Sequence, residues 1–148
     1  MAASSEQLHS AFSYCLDFAK RMLEDIGSFL PFGAVLNTSG EVKAVAGWNG
    51  DEHPAPTEIY QLLSSALRGE SVSNNILGSA IAADVNIPAA YDPPLRDGIR
   101  VHLEGDGYSR YIYVPYAIKV SGLLRRRREI ILAEPFSIEV PAEVFAMQ

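Results

Sequence analysis

The stretch "IRVHLEGDGYSRYIYVPYAIK", residues 99–119, predicts the hairpin on which the fold is built. Two segments of alternating residues flank Asp106–Gly107, a dipeptide typical of two-residue type I′ turns. Such a turn pairs apolar side chains on one face of the hairpin, Ile99 with Val114 and Val101 with Ile112. We therefore expect an antiparallel hairpin with one face packed on the core.

The opposite face of this hairpin collects five polar or aromatic side chains, Arg100, His102, Glu104, Tyr111 and Tyr113. A histidine beside a glutamate is a possible general acid–base pair, and tyrosines can orient a ligand. Alternation also places polar residues on the outer face of any half-exposed sheet, where they serve structure or an interface. These five are therefore the candidate ligand-binding residues, with a structural role as the alternative, and no catalytic residue is assigned.

Outward from the hairpin, the clearest element is an amphipathic helix over residues 5–26. Its apolar residues recur at helical spacing: Leu8, Ala11, Phe12, Cys15, Leu16, Ala19, Met22, Leu23 and Ile26. Ser4 and Gln7 form a capping-box pattern at its start, and Gly27 is a stop signal. Cys15 lies within the apolar stripe, so we expect a core residue rather than a nucleophile.

A second hairpin and a second helix follow. "FLPFGAVLNTSGEVKAVAGW", residues 29–48, has Gly40 in a three-residue turn. The register it predicts pairs Leu36 with Val42 and Ala34 with Ala44. After a polar loop over residues 49–56, Thr57 is predicted to cap a helix that ends at Gly69. Its narrow stripe consists of Ile59, Leu62, Leu63, Ala66 and Leu67.

Further strands complete a single domain over residues 1–148. "ILGSAIAADVNI", residues 76–87, alternates as one long strand, the proline-rich segment after it is a loop, and residues 129–145 contain one or two short strands. Because hairpins join most strands, we expect an α+β fold. The predicted sheet is mostly antiparallel, with about five or six strands and two helices packed on one face.

The long helix leading into "FGAVLNTSGEVKAVAG", then a second helix and a three-strand meander, resembles the roadblock/longin/profilin-like α-ββ-α-βββ arrangement over residues 5–119. The general shape is also that of uncharacterised bacterial families. The resemblance implies a small dimeric scaffold without a cofactor, and it carries over no catalytic residue.

Composition favours a cytoplasmic protein. The net charge is −6, the only cysteine cannot form an intrachain disulfide, and "MAASSEQLHSAF" lacks the basic and apolar regions of a secretory signal. No apolar run is long enough to span a bilayer. Negative charge also repels polyanions at long range, so we expect neither nucleic acid nor membrane as a partner.

Two charged segments are further candidate sites. Arg125 to Arg128 form a basic block without a second basic patch or interleaved aromatics, so a solvated edge or interface is favoured over a nucleic-acid contact. Asp51, Glu52 and His53 match no zinc or calcium spacing, and a solvated loop is expected there. We predict no metal and no cofactor.

No catalytic sequence motif is present, so the expected function is a non-catalytic interaction or scaffold domain. The alternative is a small enzyme or small-ligand binder that uses the polar-aromatic face of the 99–119 hairpin. We also expect a homodimer, and a protein partner is possible, because several interface-type residues have no evident cover. These residues are Val45, Trp48, Tyr111, Tyr113 and Tyr116.

Overall fold

A computed structural model describes residues 2–47, 50 and 52–146 of the chain. In chain order its elements are α1 (Ser5–Asp25), β1 (Phe32–Asn37), β2 (Val42–Ala46), α2 (Pro56–Val72), β3 (Ile76–Asn86), β4 (Asp97–Gly105), β5 (Tyr108–Ser121), β6 (Arg127–Leu132) and β7 (Phe136–Glu139). A short 3₁₀ turn, Ala89–Tyr91, lies between β3 and β4. The α+β class is confirmed. No helix in these described segments is both long and apolar enough to cross a membrane.

The strands form one antiparallel sheet in the order β2-β1-β3-β4-β5-β6, and β7 also pairs with β5. Both predicted hairpin registers are confirmed: Leu36 faces Val42, and Ile99 faces Val114. The prediction of a type I′ turn at Asp106–Gly107 is wrong. Gly107 has a φ of 74° while Asp106 keeps a negative φ, whereas type I′ needs positive φ at both central residues.

Helix α1 forms as its sequence predicts. The Ser4 hydroxyl accepts a hydrogen bond from the Gln7 backbone N–H (3.2 Å), and the Gln7 side chain accepts one from the Ser4 N–H (2.9 Å). Six stripe residues are buried, Leu8, Ala11, Phe12, Cys15, Ala19 and Leu23. They pack on Ala34, Ala80, Val101 and other residues of one sheet face, which makes this the larger apolar core.

Helix α2 covers the opposite face, so the prediction that both helices share one face is wrong. Its buried residues Ile59, Leu63 and Leu67 pack on Val35 and Ile81. Val35 and Ile81 each follow a residue that faces α1, and successive side chains of a strand point to opposite faces. Strands β1 and β3 are therefore buried on both sides, which requires a helix on each.

The predicted ends of α2 also differ from the structure. The N-cap is Ala55 and not the predicted Thr57, and the helix begins at Pro56, where the missing N–H of proline costs no intrahelical hydrogen bond. The helix continues through Gly69 to Val72. Within the predicted stripe Leu62 is exposed, so the apolar face of α2 is narrower than that of α1.

The C-terminal segment lies along β5. β6 pairs with Tyr116–Ser121 and β7 with Arg110–Tyr113 of the same strand, which confirms two short strands. Pro135, which has no N–H to donate, lies between them. After β7 the chain turns onto the α2 face, where Val144 is buried in the apolar cluster of α2.

Candidate functional site

The structure brings the five predicted site residues together on the sheet face that α2 covers. In the β4–β5 register Arg100 lies opposite Tyr113, and His102 lies opposite Tyr111. The expectation of a half-exposed sheet is wrong for this face, because His102, Glu104 and Tyr113 are all buried. The C-terminal segment supplies the cover that the local alternation of β4 could not indicate.

Glu104 binds the C-terminal segment through its carboxylate. Three consecutive backbone N–H groups donate to it: Glu143 at 2.8 Å, Val144 at 3.0 and 3.1 Å, and Phe145 at 3.2 Å. Burial raises the pKa of Glu104, and these three hydrogen bonds oppose that rise. We name this arrangement the Glu104 latch, since it fixes residues 143–145 over the sheet.

His102 lies next to the latch. Its Nε2 is 2.8 Å from the Ser109 Oγ and 3.5 Å from Glu104 Oε2, and its Nδ1 is 4.0 Å from Glu143 Oε2. The ring packs edge-on against Tyr111, with centroids 4.8 Å apart. Burial and the positive charge of Arg100 lower the pKa of His102 to about 4, so the imidazole is neutral at pH 7.

The depressed pKa of His102 predicts a pH dependence of stability. Above pH 6.5, the ordinary value, folded and unfolded His102 are both neutral and the contribution is complete. As pH falls from 6.5 towards 4, the unfolded chain takes up a proton that the folded chain does not, so stability is lost, by about 3 kcal/mol at most. The measurement is the free energy of unfolding against pH for wild type and His102→Gln.

Burial raises the pKa of Glu104, so the stability contributed by Glu104 changes with pH in the opposite direction. Both proteins contain Glu104, and the difference between their curves therefore reports His102. We expect the difference between wild type and His102→Gln to shrink on acidification through this window. Parallel curves from pH 6.5 to pH 4 would contradict the assignment of a buried, neutral His102.

Arg100 links the buried cluster to an open cleft. Its guanidinium lies over the rings of Tyr111 and Tyr60, 4.4 and 5.3 Å from their centroids. Its Nε is buried without a hydrogen-bond partner in the described part of the chain, and it forms no ion pair there. Since the Nε is buried, only the terminal nitrogens of the guanidinium can donate to an acceptor in the cleft that Arg100 lines.

The cleft has a volume of about 940 Å³ and lies between the end of α1, residues 28–32, the start of α2 and the end of β3. Its walls are mainly apolar; Phe18, Ile26 and Leu30 are all partly exposed in it. Asp84, at the β3 wall, accepts a hydrogen bond from the Tyr116 hydroxyl (2.6 Å). No sequence pattern predicted this cleft, although Pro31, which cannot extend a strand ladder, lies in its wall.

Among the described residues, the edge of β3 beyond Ala82 has no strand partner along this cleft, although the backbone N–H of Phe29 reaches the Asp84 carboxylate there. β3 pairs with β4 as far as Asn86, but its pairing with β1 stops at Ala82, opposite Phe32. Pro31 precedes Phe32 and has no N–H to extend the ladder. Because alternate residues of a strand direct their backbone groups to opposite neighbours, half of residues 83–86 present those groups to the side that β1 leaves.

The tyrosines that suggested a dimer surface lie largely inside the chain. Tyr113 and Tyr116 are buried, and Tyr113 stacks on Phe136 of β7, with ring centroids 5.2 Å apart. Tyr111 is half-buried, and so is Val45, which packs against the α2 cluster. Trp48 lies outside the described residues. The surface argument for a homodimer from these aromatic residues is therefore weaker than the sequence indicated.

Two of the remaining candidates, Cys15 and the arginine block, do not line the cleft. Cys15 is fully buried, and burial raises its pKa to about 12, which confirms a core residue. Arg125 to Arg128 are exposed around the start of β6, at the edge of the described sheet. Asp51 lies outside the described residues; among the others, no cluster of three or more histidine, cysteine or acidic side chains could hold a metal ion.

In the buried cluster, the polar groups of Glu104 and His102 contact other residues of the same chain. The carboxylate of Glu104 is occupied by backbone donors, and His102 Nε2 is occupied by Ser109. Of the five predicted residues, Arg100 alone lines the cleft. Comparison of the chain with protein-family models, with curated proteins and with solved structures finds no match.

Proposed function

We propose that this protein is a non-catalytic interaction module that binds an extended, apolar segment of a protein partner in the cleft between α1 and α2. The observation that carries the proposal is the unpaired edge of β3 along an apolar cleft. Peptides that add a strand to a sheet edge gain affinity from main-chain hydrogen bonds and specificity from pockets for alternate side chains. The cleft offers both.

The walls of the cleft fit apolar side chains of such a segment. Leu30 is 48% exposed and Ile26 is 58% exposed, although the cores on both sheet faces bury most large apolar residues. Exposed apolar patches of this kind on a folded protein are typical of binding sites. The buried positions of His102 and Glu104 support binding over catalysis, because neither side chain reaches the cleft surface.

A second candidate ligand is a small apolar molecule with a carboxylate. Arg100 favours it, since the guanidinium lines the cleft without an ion pair in the described segments. A planar guanidinium matches a carboxylate with two parallel hydrogen bonds. In the peptide proposal the same group receives an acidic side chain or a backbone carbonyl of the bound segment.

The experiment selects peptides on the purified protein from a phage-displayed random library and measures their affinity by fluorescence anisotropy. Leu30→Glu, which places a charge in the apolar wall, is expected to weaken binding about tenfold or more. Leu62→Glu is the matched control, because Leu62 is similarly exposed (42%) but lies outside the cleft. Failure to enrich any peptide, or equal affinity of both variants, would contradict the proposal.

We also propose a homodimer. The support is the pair of edge strands, since β2 pairs only with β1 and β6 only with β5 in the described sheet. Unpaired edges offer a route to symmetric association, and the two-fold dimer is the commonest soluble assembly. Sedimentation equilibrium is expected to give twice the chain mass of 16.1 kDa. A mass near that of one chain throughout the micromolar range would rule the dimer out.

A further inference from the structure

The loop between β5 and β6 exposes two leucines completely. Leu123 and Leu124 are 104% and 101% exposed, so neither side chain gains any cover from the rest of the chain. The pair Ser121 and Arg127 closes this loop at its base. Adjacent, fully exposed leucines are costly in water, and their place at the tip of a hairpin leaves them free to enter another phase.

The loop has a defined shape. Gly122 has a φ of 104°, and a Cβ at this position would collide with the carbonyl oxygen of Arg125. Glycine alone adopts this conformation readily and allows so close a backbone approach. The turn that presents the leucines is therefore specified by a particular residue.

Three arginines directly follow the leucines in the same loop and the start of β6. Arg125, Arg126 and Arg127 are exposed and form no ion pair within the described chain. Arg128 differs, since it donates to the Asp25 carbonyl oxygen at the end of α1 (3.0 Å) and so anchors the base of the loop.

We propose that residues 122–127 dock on the surface of an anionic lipid bilayer, with the leucines entering the interface and the arginines binding lipid phosphates and carboxylates. Stable attachment to a membrane surface takes two weak signals, and an apolar insertion beside a basic cluster supplies both. A bilayer fits better than an acidic protein groove, because the tip is convex and its leucines stand clear of any wall.

The net charge of −6 does not prevent contact with the membrane, because the charge distribution turns the basic loop towards it. The expectation of no membrane partner rested on this net charge, whose long-range effect is screened within roughly 8 Å at physiological salt. The basic loop is the cationic tip of an otherwise acidic protein, so an anionic surface attracts this end and repels the rest. The loop therefore meets the bilayer first.

The test is flotation of the purified protein with vesicles of phosphatidylcholine alone and with added phosphatidylserine. We expect binding to the second kind only, and weaker binding as salt rises. Leu123→Ser with Leu124→Ser, and separately the triple alanine variant of Arg125, Arg126 and Arg127, should each weaken it about tenfold or more.

Matched controls separate this surface from general effects. Leu62→Ser with Val72→Ser removes two exposed apolar side chains of α2, and alanine at Lys43, Arg68 and Arg96 removes three cations elsewhere. Both controls should float like wild type. Absence of wild-type binding to phosphatidylserine vesicles at low salt, as expected for a loop that binds an acidic protein instead, would overturn the proposal. Retention of binding by both loop variants would overturn it as well.

Discussion

Replacing Glu104 with leucine is expected to destabilise the folded protein by about 3 kcal/mol, because it leaves the buried Val144 N–H and two part-buried backbone donors without their acceptor. Glu104 is completely buried and accepts from Glu143, Val144 and Phe145. Leucine retains comparable bulk but supplies no acceptor. The segment that carries Val144 would then have to open towards water. Urea unfolding measures the loss, and proteolysis of the C-terminal segment reports the opening.

Glu104→Gln is the matched variant, since an amide keeps one acceptor oxygen for the same three N–H groups. We expect a smaller loss for glutamine than for leucine, because removal of a buried charge offsets part of the lost hydrogen bonding. If both variants unfold within about 0.5 kcal/mol of wild type, the contacts of the latch do not stabilise the fold.

Replacing Phe12 with alanine is expected to cost about 3–5 kcal/mol, the range for removal of a large buried aromatic side chain. Phe12 is 7% exposed and belongs to the core between α1 and the sheet. Leu16→Ala should cost less, since Leu16 is only partly buried at the margin of that core.

Asp17→Ala is the surface control on the same helix, because Asp17 is exposed and alanine preserves helix propensity. Thermal and urea unfolding should leave this control near wild type. If Phe12→Ala and Leu16→Ala both melt within about a degree of wild type, α1 does not carry the core and the architecture is wrong.

Local signals predicted much of the fold. The helical spacing of α1, its Ser4–Gln7 cap and the register of both hairpins follow from short-range patterns, and the structure has all of them. The convergence of Arg100, His102 and Tyr111 on one face follows from the hairpin register as well. Periodicity and turn residues act over a few positions, so they can be read without the tertiary structure.

Long-range packing explains what the sequence did not predict. Glu104 is buried because a segment about 40 residues later turns back onto it, and no pattern within β4 indicates that partner. The sequence pattern also did not indicate which face of the sheet α2 covers. Ala34 and Val35 are both apolar, so alternation could not distinguish one covered face from two. The cleft arises because β1 begins only at Phe32, opposite Ala82, whereas β3 continues to Asn86, and only the strand pairing reveals this difference.

The most direct test of the central proposal is amide hydrogen exchange at residues 83–86 of β3, followed by NMR with and without a library-selected peptide. In the free protein, amides of this stretch that point away from β4 should exchange fast, because they have no partner in the described sheet. The account predicts that saturating peptide slows these amides about tenfold or more and leaves those of β6 unchanged. Tight peptide binding with no added protection at residues 83–86 would contradict it.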